Sequence, residues 1–116
     1  MKELEKVYVD MGFIDLDAVI VFGNRPALER YVRKVFGDNT ISIKMTNTRL
    51  GETFMLDGYV PIIWMPRRPR TKREHGTLAH EAVHAVSYMF RYLETPITED
   101  TEEIFCKAVG RIVSAV

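Results

Sequence analysis

The strongest constraint on this chain is the stretch from about Gly76 to Leu93. Leu78, Ala82, Val86, Phe90 and Leu93 recur there at helical spacing until Thr95-Pro96 ends the pattern. A helix this long with one apolar side has to lie against something. A second amphipathic stretch follows from about Glu99 to the end, with Ile104, Ala108, Ile112 and Ala115 as its stripe. Two such helices need a platform.

The preceding residues supply one. Residues 16 to 22 (LDAVIVF) are apolar and β-branched and stop at Gly23-Asn24, as a buried strand does. Asn24 can cap a helix that tolerates Pro26 in its first turn and carries Leu28, Val32, Val35 and Phe36 before Gly37. From Thr40 the pattern shortens to ISIKM, ETFML and YVPIIWM, separated by Asn47, Gly51 and Asp57-Gly58, which reads as a three-stranded meander. Pro61 cannot donate a ladder hydrogen bond, so the strand with Ile62, Ile63, Trp64 and Met65 is expected at a sheet edge, where it could accept an extended peptide. The order strand, helix, strands, helix, helix predicts an α+β domain: a small mixed sheet, a backing helix and two C-terminal helices.

At 116 residues the whole chain, 1–116, is expected to form a single domain. Sixteen basic residues offset sixteen acidic ones, so net charge gives no reason to expect a polyanionic partner. Locally, Arg67, Arg68, Arg70, Lys72 and Arg73 form a basic loop just before the long helix. An acidic or nucleic-acid partner would be attracted there, although a solvated loop explains the run equally simply and no base-reading motif accompanies it. The charged N-terminus lacks the apolar core of a secretory signal or membrane span, which predicts a cytoplasmic protein without membrane contact. With Cys106 the single cysteine, metal chemistry would have to rest on histidine and carboxylate.

Within the long helix stands His80-Glu81-Ala82-Val83-His84, the pattern H-E-x-x-H. At 100° per residue the two histidines share one face a turn apart, so both can reach one zinc ion (Zn2+) at about 2.0 to 2.1 Å. Glu81 projects beside that face, where a water at the open position could meet it, and acts as general base. The bland alternative is a chance set of solvated helix residues. A third ligand is expected from the acidic start of the last helix, where Glu102 and Glu103 compete. Glu102 lies nearer the apolar stripe. Glu103 heads a row of small residues, Cys106, Gly110 and Ser114, that would allow close helix approach, and on that ground it is preferred, with Glu102 orienting a histidine.

The segments GTLAHEAVHAV and TEEIFCKAVG, and more loosely GYVPIIWMP, resemble the zincin metallopeptidases with a glutamate third ligand, in particular small phage-encoded H-E-x-x-H metallopeptidases. The resemblance implies a minimal zincin-like fold, zinc on His80, His84 and Glu103, Glu81 as base, hydrolysis of a peptide or protein substrate, and work in the host cytoplasm. It also implies an edge strand along the cleft, which would give residues 59 to 65 that role. One departure stands out: larger relatives carry an aspartate four residues after the ligand glutamate, and this chain has Lys107. Tyr88, Tyr92 and His75 are the candidates for stabilising the transition state, while Cys106 reads as a small core residue. The rival reading is a zinc-stabilised or metal-free binding module that engages a partner through the basic loop without turnover.

Overall fold

A computed structural model describes residues 4–12, 16–37, 50–55 and 60–116. The elements, in chain order, are β1 (Glu5–Asp10), β2 (Asp17–Phe22), α1 (Arg25–Phe36), β3 (Glu52–Phe54), β4 (Ile62–Met65), α2 (Lys72–Tyr92) and α3 (Glu102–Ser114). The strand expected over 41–45 and the turns at Asn47 and Asp57-Gly58 lie outside the described residues.

The strands form one sheet in the order β1-β2-β4-β3. β2 runs antiparallel to β1 and parallel to β4, with β3 antiparallel beyond, so the sheet is mixed. Burial explains the order. Every residue of β2 after Asp17, and all of β4, is buried, which requires both sheet faces to be covered. Ala18, Ile20, Phe22, Ile63 and Met65 face α2 and α3. Val19, Val21, Ile62 and Trp64 face Leu28, Val32 and Phe36 of α1 on the other side. The domain is therefore three layers, with α1 backing the sheet and the helix pair α2 and α3 on its front.

Local chemistry fixes the helix ends. Asn24 Oδ1 accepts from the Ala27 amide at 2.9 Å, Pro26 sits in the first turn, and α1 ends at Gly37 with φ 73°. α2 begins four residues earlier than its apolar period suggests, because Thr71 and Glu74 form a capping box inside the basic loop. At the other end of α2, Glu94 adopts φ 52°, a left-handed conformation usually left to glycine.

Three expectations are corrected. The strand Ile62 to Met65 is not at an edge: β4 lies between β2 and β3. Pro61 falls just before its first paired residue, so the missing N–H costs the ladder nothing, while its carbonyl accepts from the Val19 amide at 3.1 Å. A further strand, β1, precedes the expected first one; Val7, Val9 and Met11 alternate toward the front core between charged neighbours. The row Cys106, Gly110 and Ser114 is exposed, and Gly110 has open space where a Cβ would stand, so close helix approach does not run along it. The packed face of α3 is Phe105, Ala108, Val109 and Ile112, with Ile104 and Ala115 turned to solvent.

The capping box has a consequence for pH. Hydrogen bonds from Arg67, reinforced by the Arg70 and Thr71 amides, pull the Glu74 carboxyl down from 4.5 to about 2. Because the folded value is depressed, this contribution is complete above 4.5 and is lost as pH falls toward about 2. Circular dichroism of the native chain against Glu74→Gln is expected to show a smaller acid-dependent loss of helix over that range in the variant.

Candidate active site

The motif lies on the outward side of α2, where the apolar face of Leu78, Ala82, Ala85, Val86 and Met89 turns the helix so that His80 and His84 are exposed. Their Nε2 atoms converge to 3.2 Å, with the rings edge to face at 79° and centroids 4.7 Å apart. In the bare pair, one Nε2–H donates to the other ring's unprotonated nitrogen. A cation fits in place of that proton: nitrogens 3.2 Å apart and each about 2.0 to 2.1 Å from a shared ion subtend about 100 to 106° at it, near the tetrahedral angle. The spacing of the two imidazoles thus suits a zinc ion.

Glu81 lies one position round the helix, at the margin of the front core. Among the described residues it is the only polar or charged residue in the buried class, 8% exposed. Its Oε1 accepts a 2.7 Å hydrogen bond from the Thr53 hydroxyl, which is also 3.1 Å from the Glu81 carbonyl oxygen. Its Oε2 is 3.9 Å from His80 Nε2. Two imidazoles and one carboxylate oxygen therefore share the same small region of the α2 surface.

Thr53 is in β3, the last strand on that side of the sheet among the described residues, and pairs with Ile63, so its side chain shares the face covered by α2. β3 comes this close because Gly51 precedes it: a Cβ there would stand 2.9 Å from Thr77 Cγ2 and 3.1 Å from the Trp64 carbonyl. Further along α2, Tyr88 and Tyr92 stack at 6.0 Å and continue the line of His80 and His84 at intervals of four residues. With Met55, Arg91 and Glu94 they line an open cavity of about 660 Å³. A larger cavity of about 820 Å³, between β1, β2 and α1, includes no residue of α2 and is separate from the motif.

The remaining sequence candidates are placed as follows. Ile62, Ile63, Trp64 and Met65, expected to bind substrate, are 0 to 2% exposed, and both edges of their strand are occupied by β2 and β3. They are core residues; the element beside the motif is β3. Glu102 and Glu103 open α3 and are exposed. α3 packs on α2 with Phe105 edge to face on Phe90 at 5.3 Å. His84 stands six residues before Phe90, about 9 Å along the axis, so the two carboxylates at the start of α3 are not gathered with the histidines. Among the described residues no group of three or more His, Cys, Asp or Glu is arranged to hold a metal ion. By helical angle Glu102 is nearer than Glu103 to the packed face of Phe105 and Val109. His75 and Cys106 are exposed.

The basic loop is partly consumed by internal pairs. Arg67 grips Glu74 through Nε at 2.7 Å, and Arg68 reaches Glu5 at 2.9 Å, holding the Glu5 carboxyl below its ordinary value. Arg70, Lys72 and Arg73 are exposed. Among the described residues, no helix is long and apolar enough to cross a membrane.

Sequence reasoning missed Thr53. Its partner is 28 residues away, and the only local sign is a hydroxyl in mid-strand on the face that meets α2. Comparison with family models, curated proteins and solved structures returns no match.

Proposed function

We propose that this chain is a zinc-dependent peptidase of the H-E-x-x-H type, as its resemblance to the zincin metallopeptidases suggests. The observation that carries the reading is the convergence of His80 and His84 to 3.2 Å beside a nearly buried carboxylate from Glu81. An i, i+4 histidine pair can converge through its own hydrogen bond; the hydrogen-bonded, nearly buried Glu81 carboxylate beside it is what favours a metal site over a chance pair.

When bound, zinc supplies polarisation of the scissile carbonyl and a water more acidic than bulk water. The chain's own residues do the rest. His80 and His84 would hold the ion; the resemblance assigns the third protein ligand to the first turn of α3, whose carboxylates stand apart from the histidines in this structure and would have to move to reach it. The resemblance favours Glu103 for that position, and the helical face favours Glu102. Glu81 takes a proton from the attacking water and returns it to the departing amine, so its carboxylate has to stay in one place through both transfers. Among the described residues β3 is the outermost strand next to the motif, and an extended substrate would lie along it rather than along β4. The reading of a binding module without turnover draws less support, since Arg67 and Arg68 are already paired with Glu74 and Glu5.

Two sets of variants test the proposal. Calorimetric titration with zinc is expected to give one ion per chain, with binding lost in His80→Ala and His84→Ala; a weakening in Glu102→Ala or Glu103→Ala would identify that residue as the third ligand. Glu81→Gln should bind zinc as the native chain does while its hydrolysis of a mixed peptide pool falls by about 10²- to 10⁴-fold, the usual share of general-base catalysis. A native chain that takes up no zinc, or a Glu81→Gln variant that cleaves as fast as native, overturns the proposal.

A further inference from the structure

Resting on that peptidase reading, we infer that Thr53 is a positioning residue: its hydroxyl holds the base, Glu81, in a single orientation and links the base to the strand along which substrate would lie. A glutamate has three side-chain torsions and would sample several rotamers on an open helix face. Glu81 is confined because the Thr53 hydroxyl meets it twice, at 2.7 Å from Oε1 and 3.1 Å from its own carbonyl oxygen. The hydroxyl has one proton to give. The nearer carboxylate oxygen is the main acceptor, and the Glu81 carbonyl takes the weaker arm of a bifurcated bond.

The consequence is a division of labour between the two carboxylate oxygens. Oε1 is engaged by Thr53. Oε2 stands 3.9 Å from His80 Nε2 and, on the peptidase reading, is the oxygen assigned to proton exchange with water. Threonine suits the task, because its branched Cβ restricts χ1 and keeps the hydroxyl aimed at α2. The bond also spans two layers of the fold. Thr53 is in the middle of β3, and Gly51 sets how closely that strand approaches α2. A substrate added alongside β3 would fix the strand that fixes the base, so substrate alignment and base orientation would be coupled through one hydroxyl.

Satisfying a buried acceptor is the competing, purely structural role, and the test has to separate the two. Thr53→Val keeps the shape and removes the hydroxyl; Thr53→Ser keeps the hydroxyl and loses the stiffness. For the zinc-loaded full chain, Thr53→Val is expected to lower kcat by about tenfold or more, the scale of a displaced catalytic group. KM should stay within about twofold, zinc affinity should be unchanged, and Thr53→Ser should recover most of the loss. Thermal midpoints of native, Thr53→Val, Glu81→Gln and the double variant give a readout without turnover, and a non-additive cycle is expected. An additive cycle, or kcat in Thr53→Val equal to native, overturns the role of Thr53 while leaving the peptidase reading intact. Equal losses in Thr53→Val and Thr53→Ser that track stability alone reduce Thr53 to a structural contact. No hydrolysis by the zinc-loaded native chain overturns the peptidase reading, and this inference with it.

Discussion

The docking of α2 across the front of the sheet is the constraint from which the rest of the structure follows. Leu78, Ala82, Ala85, Val86 and Met89 bury one side of the helix on Ile20, Ile63 and Met65, and full burial of a side chain the size of Leu78, Val86 or Met89 contributes about 1.5 to 3 kcal/mol. That contact sets the rotation of α2 about its own axis. With 3.6 residues per turn, the same rotation exposes positions 80 and 84 together and leaves position 81 at the margin of the core. A carboxylate in that position needs a partner or loses the solvation it would have had in water. Thr53 is the partner, and β3 can provide it because a glycine lets the strand come close. The geometry of the motif is therefore a product of core packing rather than an addition to it.

The same packing explains what could be read from the chain and what could not. The helix α1 was legible from Asn24 to Gly37 because its ends are local chemistry: a side-chain cap, a proline compatible with the first turn, and a glycine with positive φ. α2 was legible in its body but not at its start, since the Thr71 and Glu74 capping box sits within a basic run that reads as loop. β1 escaped notice because Glu5, Lys6 and Asp10 mask the alternation of Val7, Val9 and Met11. The position of β4 was misjudged for a different reason. A proline forbids one hydrogen bond at its own nitrogen, and Pro61 precedes the paired segment, so the rule did not bear on Ile62 onward.

In the site, the pair His80 and His84 with Glu81 beside it was legible because helical spacing alone brings those residues together. The parts that depend on how elements meet were not. Two overlapping stripes compete within the 13 residues of α3, and only contact with α2 selects Phe105, Ala108 and Ile112 over Ile104 and Ala115. That selection removes the close-approach argument for Glu103 and brings Glu102 nearer the packed face. Thr53 was out of reach for the same reason: nothing within β3 indicates that a carboxylate 28 residues later will need its hydroxyl.

The central claim is that the His80 and His84 imidazoles share one metal ion beside the Glu81 carboxylate. Anomalous diffraction at the zinc edge from crystals of the zinc-loaded chain tests it most directly. The account predicts one strong peak about 2.0 to 2.1 Å from both Nε2 atoms, with Oε2 of Glu81 facing an open coordination position. A peak elsewhere on the chain, or none at the histidine pair under saturating zinc, would contradict it.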